Sequence, residues 1–406
     1  MRIINFLAPE FLFFLSFAQA IFPYILWLDQ NDAPSYPINI TYYPIFVWIV
    51  GMISFIAGSM IKSLFYGRDN KINNISAEIA FRNNNWSLLL LIVWFVQTAL
   101  IIKLYKGVPL VQYLNGSIDV SSVNQLQQKG FVGQFGLYSV TNLLLIANFS
   151  FQIFLNKYFM KKFQWKTLLT FLAFSFGILM SGKRQGAFIA FFFIAGSALM
   201  FNAMPVAQKQ YKDRTLFIIM ISAISLLMLI FLFGFLGKIR TFGEITDSAL
   251  LQIISYLEFP LINFEWQLYS FGINPAERNM LPLLSGFLPY KYLVKGDYYL
   301  PFTEIVYGFR YPQPGIGAGI YGPVHLAGGI SSIIVFSIVL GYFSKLIYLR
   351  ARNNWRWNLP YSMMIWPLLS SHSYYHFASL IFFWIPFILI ILIIQCHSYK
   401  KNLLFK

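Results

Sequence analysis

Two kinds of side chain in this sequence suit the transfer of a phosphate-linked group. Arginine is the first, because its planar fork grips phosphate through two parallel N–H donors. Arg184 stands in Ser181-Gly182-Lys183-Arg184-Gln185-Gly186, where Lys183 doubles the charge and glycines flank the pair. Exposed N–H groups at such a helix start attract anions. Arg240 follows a long apolar run in Gly237-Lys238-Ile239-Arg240-Thr241, and Arg310 stands in Tyr307-Gly308-Phe309-Arg310-Tyr311-Pro312. Arg278, beside Glu277, reads as loop structure paired with Glu277 or Glu265. Proton acceptors are the second kind. Histidine titrates near neutrality and suits a general base. His372 lies in Ser370-Ser371-His372-Ser373-Tyr374-Tyr375-His376, and His325 ends Gly315-Ile316-Gly317-Ala318-Gly319-Ile320-Tyr321-Gly322-Pro323-Val324-His325. Glu258, an acid in an apolar stretch, is a third candidate base.

Other chemistries find less support. The glycine-rich stretch has no lysine-serine after it and no strand before it, so it is neither a Walker nor a Rossmann loop. No nucleophile elbow or Ser-His-Asp motif occurs. His325, His372 and His376 follow no zinc-ligand spacing, so no metal is expected. A single cysteine, Cys396, excludes an internal disulfide and a cysteine metal cluster.

The elements that must position these residues are membrane helices. The 406 residues are 58% hydrophobic and 11% charged, against about 25% charged in a soluble protein. A crossing helix needs about 20 apolar residues. Ten segments read as spans, the fifth and ninth of them short: 6–28, 42–66, 86–104, 135–156, 167–181, 187–204, 215–237, 323–349, 359–372 and 377–395. The N-terminal run continues past Ala18-Gln19-Ala20 and contains Glu10, so it reads as an uncleaved span rather than a signal peptide.

The net charge of +16 does not mean nucleic acid. The basic residues are spread over short connections between apolar segments. With both termini in the cytosol, every inward connection is basic, from Lys62, Arg68, Lys71 and Arg82 to Lys345, Arg350, Arg352 and Arg356. That is the positive-inside pattern. The expected fold is therefore an all-α polytopic membrane protein, residues 1–406 forming a single membrane domain. Two long outward loops cover 105–134 and 238–322, and long loops are usually functional. Within the second, 248–271 is almost apolar enough to cross, but it holds Glu258, Pro260 and Glu265. A centred acid costs about 2.5–3.5 kcal/mol on insertion scales, so this segment is expected to be re-entrant or interfacial. Arg184, Arg240, Arg278 and Arg310 all fall outward in this topology.

The pattern resembles the Wzy-type O-antigen polymerases, or oligosaccharide repeat unit polymerases. The likeness covers most of the chain: about ten spans, the Ser-Gly-Lys-Arg hairpin like the family's Gly-x-Arg-Gly turn, the long outward loop, and Tyr-Gly followed by Gly-Gly at the next span. The Arg-x10-Gly spacing of some members is not met, since Tyr321 stands eleven positions after Arg310 and Gly322 one later. The resemblance implies a membrane glycosyltransferase of GT-C-like architecture in the bacterial inner membrane. It would polymerise undecaprenyl-diphosphate-linked oligosaccharide repeat units on the periplasmic face, without metal or cofactor. It implies a chain-length regulator and a flippase of the same pathway as partners. On this reading Arg184, Lys183, Arg240 and Arg310 hold the diphosphate, and His372, Glu258 or His325 is the base. Tyr311 and Tyr321 stack on sugar.

Three alternatives remain. An O-antigen ligase would share the architecture but use a different acceptor. Another GT-C glycosyltransferase would use acids after the first span, where Asp29 and Asp32 stand. A flippase or transporter is a non-enzyme alternative, although no internal repeat of the kind found in transporter halves occurs.

Overall fold

A computed structural model of the chain describes residues 3–27, 42–65, 85–105, 134–155, 165–181, 184–202, 219–227, 260, 264–265, 268, 319–372, 377 and 383–393. Every regular element among the described residues is helical. The α-helices are α1 (Pro9–Trp27), α2 (Tyr43–Phe65), α3 (Asn85–Tyr105), α4 (Gln134–Leu155), α5 (Trp165–Ser181), α6 (Arg184–Asn202), α7 (Tyr321–Asn353) and α8 (Asn358–Leu369). Residues 219–227 and 383–393 add further helical stretches. Each labelled helix falls within four residues, at both ends, of an apolar segment found in the sequence. Proline marks several starts, as the first residue of α1 and the second of α2, where its missing N–H has no helical partner to lose.

Three of the described helices are long and apolar enough to cross a membrane: Tyr43–Ser63, Trp86–Lys103 and Tyr321–Arg352. Trp165–Ile178 and Gly186–Asn202 are shorter apolar helices. Their outer faces carry large bare hydrophobic side chains, with Phe95 68% exposed and Val335 63% exposed. So many bare apolar side chains along helices are foreign to a water-soluble monomer and suit hydrocarbon. The helices fit a membrane protein.

The chain divides into two compact units: residues 1–68, 231–346 and 367–380 form the first, and 69–230, 347–366 and 381–406 the second. The loop 105–134 lies outside the described residues apart from its ends, as does most of 238–322. Within 248–271, Pro260, Phe264, Glu265 and Leu268 are described, and all four are helical and buried.

In the first unit α1 and α2 pack through aromatic rings. Phe13 stacks on Phe55 at 4.2 Å and 3°. Trp48 meets the Tyr321 ring edge-on at 4.6 Å. Glycine lets α2 and α7 approach closely: a Cβ on Gly58 would run into the backbone carbonyl of Ile338, and one on Gly341 into that of Phe55. Small residues bring helix backbones together in this way where no hydrophobic force separates helix from lipid. Glu10, the acid that interrupts the first apolar run, is paired with Lys345 of α7 at 2.5 Å.

Helix α7 is not one rod. Its backbone breaks at Gly328 (φ −179°, ψ 28°) and Gly329 (φ 64°, ψ −148°). Tyr321 Oη lies 3.0 Å from Ser337 Oγ. Sixteen residues of straight helix would separate these two by about 24 Å. The segment 321–327 therefore folds back along the longer part, and Gly329 supplies a conformation that essentially only glycine adopts. This corrects the expected eighth span at 323–349. Residues 323–327 belong to a folded-back half-helix, and the span-length rod begins after Gly329. His325 accordingly sits on the half-helix, not in the first turn of a span.

The second unit is knitted by polar side chains between α3 and α4. Ser87 Oγ donates to Asn148 Oδ1 at 3.2 Å, and Gln152 Nε2 donates to Ser87 Oγ at 2.7 Å. Further along, Trp94 Nε1 donates to Asn142 Oδ1 at 3.1 Å and Thr98 Oγ1 donates to Tyr138 Oη at 3.2 Å. On α5, Gly177 leaves room for the Asn142 carboxamide. Trp366 of α8 stacks with Phe188 and Phe192 of α6 at 5.5 and 5.1 Å. Between α7 and α8, Asn354 Oδ1 accepts the Arg356 N–H at 3.0 Å and forms a tight turn. Partial burial there pulls the Arg356 guanidinium below the usual arginine range.

Candidate functional site

The half-helix is enclosed by protein. Ile320, Tyr321, Val324, Leu326 and Ala327 are buried, and His325 is 1% exposed. In a membrane protein, irregular backbone is tolerated where protein surrounds it in this way. Pro323, in the first turn of the half-helix, fits there because that turn has no carbonyl to bond its missing N–H.

The His325 imidazole has one polar partner among the described residues, Tyr43, whose Oη lies 3.1 Å from Nε2. The Tyr43 ring meets the imidazole edge-on at 5.8 Å. The Phe264 ring does so at 5.6 Å. Glu265, next to Phe264, is also buried. Tyr43 is the first residue of α2 and is half-buried, and its neighbour Tyr42 is 76% exposed.

His372 closes a second cluster. Its backbone N–H donates to Ser16 Oγ at 2.8 Å. Ser16 Oγ lies 2.8 Å from Ser371 Oγ and 3.4 Å from His372 Nδ1. Ser371 Oγ donates to the Leu368 carbonyl at 2.9 Å. A hydroxyl has one proton, so Ser371 has none left for Ser16, and the Ser16 proton goes to Ser371. The imidazole is buried. The Ile320 N–H donates to the Ser371 carbonyl at 2.8 Å. Gly319, at φ 65°, packs against the His372 carbonyl so tightly that a Cβ would collide with it. The turn bearing His372 is thus tied to the start of the half-helix bearing His325. The two imidazoles themselves share no hydrogen bond or ring contact among the described residues.

Arg184 is the first residue of α6, with two residues between it and the end of α5. Arg184, in the basic tip read from the sequence, thus opens a helix. Tyr321 is wholly buried, with its ring against Phe13 and Trp48 and its hydroxyl on Ser337. It is a packing residue in this arrangement and offers no face to a sugar. Glu258, Lys183, Arg240, Arg310, Tyr311, Arg278, Asp29, Asp32 and His376 lie outside the described residues. No group of three potential metal ligands occurs among the described residues.

Sequence reasoning missed Tyr43 and Ser16. An aromatic at a membrane–water boundary is commonplace, and so is a serine in an apolar helix. Only the fold gives either one a histidine. Compared with known proteins, the chain matches no family model, no curated protein and no solved structure.

Proposed function

We propose that this chain is an oligosaccharide repeat unit polymerase of the Wzy type, with about ten membrane spans and both termini in the cytosol. The observation that carries the reading is the start of α6 at Arg184, with only two residues between it and the end of α5. A Lys183–Arg184 pair on a short turn, with Arg184 opening a helix, is charge where an outward turn normally avoids it. Diphosphate fits that chemistry, because a guanidinium and a helix start both favour phosphate oxygens. The glycine-rich approach to α7, the buried histidines and the match between helices and apolar segments support the same reading.

In the reaction, the hydroxyl of one lipid-linked repeat unit attacks the anomeric carbon of a growing chain. The new C–O bond forms as the bond to diphosphate breaks, and the electron pair leaves with undecaprenyl diphosphate. Diphosphate leaves readily, so cations facing its developing charge matter more than an acid. Arg184, Lys183 and Arg240 take that role, with Arg310. His325 or His372 serves the base, and Glu258 is the third candidate.

The test is a strain lacking this gene. Loss of long surface glycan, with single-unit-capped lipid retained, is the expected result. Arg184→Ala and Arg240→Ala, at normal membrane levels, should each leave the same short product on a glycan-ladder gel. Normal long chains from both variants would remove the clamp. Polymer left on its lipid carrier but not on the lipid core would make the protein a ligase. Vesicle transport without chain extension would make it a flippase.

A further inference from the structure

We propose that Tyr43, rather than either histidine, is the side chain that meets the acceptor hydroxyl, with His325 behind it as the proton acceptor; this rests on the polymerase reading above. The sequence offers His325 as a base, but at 1% exposure the ring has no surface to present to a sugar. Phe264 and Tyr43 stand edge-on to it. Its polar connection among the described residues is the 3.1 Å contact with the Tyr43 hydroxyl. Tyr43 is half-buried and starts its helix beside the exposed Tyr42. One face of the pair is sealed and the other reaches the end of α2.

A phenol hydroxyl can do both halves of this task, because it donates one proton and keeps lone pairs to accept another. With the imidazole proton on Nδ1, Nε2 accepts from Tyr43 Oη. The acceptor sugar hydroxyl then donates to the same oxygen. As that hydroxyl attacks the anomeric carbon, its proton passes to Tyr43 Oη, and the Tyr43 proton passes to His325 Nε2. The new glycosidic C–O bond forms, the bond to diphosphate breaks, and its electron pair leaves with the diphosphate. Tyr43 ends as it began, and His325 ends as an imidazolium that returns its proton through the same hydroxyl to water once the product has left. The half-helix, closed at Gly328–Gly329 and pinned at Gly319, holds the imidazole at a fixed distance from α2. Such fixed geometry is what proton transfer requires.

The ordinary alternative is a tyrosine that merely satisfies a buried histidine. Native membranes from the deletion strain, carrying that strain's own lipid-linked repeat units, separate the two. Wild type, Tyr43→Phe, His325→Gln and the double variant are restored to the strain, and extension is followed by pulse-chase on a glycan ladder, normalised to protein level. Tyr43→Phe keeps the ring and removes only the hydroxyl. The expected result is elongation slowed about 10²-fold in Tyr43→Phe, with excess precursor failing to restore it. The double variant should be no slower than the slower single, because the pair acts as one unit. Tyr43→Phe elongating at the wild-type rate per molecule, or recovering fully with excess precursor, overturns the relay even if its level falls. If His325→Gln does not accumulate, Tyr43→Phe alone decides. A deletion strain that keeps its long polymer overturns the polymerase reading itself, an outcome distinct from a working wild type with an unimpaired Tyr43→Phe.

Discussion

Tyr321 and Ser337 lie sixteen residues apart on one continuous apolar stretch, yet their hydroxyls are 3.0 Å apart. That contact reveals the fold-back of α7. It also explains why Tyr321 is so tightly held: Phe13 and Trp48 lie against its ring, and Gly51 of α2 passes directly over its hydroxyl.

Gly51→Ala should therefore be destabilising. The new methyl would overlap both the Tyr321 hydroxyl and its ring carbons, and overpacking of this kind costs about 1–3 kcal/mol. Tyr321→Phe should cost only about 1 kcal/mol, the worth of one hydrogen bond, and should not rescue Gly51→Ala, because the ring remains. Thermal melting in detergent, followed by tryptophan fluorescence, checks both. An unchanged midpoint in Gly51→Ala would show that the contact is absent.

Gly329 and Gly319 separate backbone strain from collision. Both have positive φ, at 64° and 65°. A Cβ on Gly329 would meet nothing within 4 Å, whereas one on Gly319 would strike the His372 carbonyl. Gly329→Ala should lose about 1–3 kcal/mol from strain alone, and Gly319→Ala should lose more. Equal midpoints for the two variants would contradict this ordering.

The Glu10–Lys345 pair predicts a charge-coupled response. Glu10→Gln or Lys345→Gln removes one charge of a partly buried pair, and removing one partner of such a pair is worse than removing both. Each single variant should lower the amount of protein recovered in membranes, and the double variant should recover part of the loss. Additive losses in membrane yield would indicate two independent surface charges.

For Trp94 and Asn142 the expected effect is smaller. Hydrogen bonds between membrane helices average about 0.6 kcal/mol. Asn142→Leu should produce a loss on that scale and shift the Trp94 emission spectrum as the indole N–H loses its acceptor. A spectrum unaltered after correction for the other tryptophans would mean that Trp94 has a different partner.

Helix positions were legible in the sequence for a specific reason. Apolar runs of about 20 residues alternate with basic connections, and hydrocarbon thickness makes that signal coarse enough to survive errors of a few residues. Direction within an apolar run is not encoded in the same way. Residues 321–353 are apolar on both sides of Gly328–Gly329, so hydropathy merges the half-helix with the rod. Gly328 and Gly329 are visible in the sequence, but nothing local marks them as the point where the helix breaks. Glu10 was legible as an interruption, while its partner Lys345 lies 335 residues away and carries no local mark. His325 and His372 were visible as rare ionisable groups. Tyr43 and Ser16 became visible only once distant segments were side by side.

The hydrogen bonds joining Ser16 to Ser371 and His372 bridge a separation of 355 and 356 residues. The ribosome releases Ser16 long before Ser371 exists. During synthesis the Ser16 hydroxyl must therefore wait for these partners until most of the chain has been made. Completion of this joint, together with the Ile320–Ser371 bond, ties the earliest helix, the half-helix and the turn after α8 into one body.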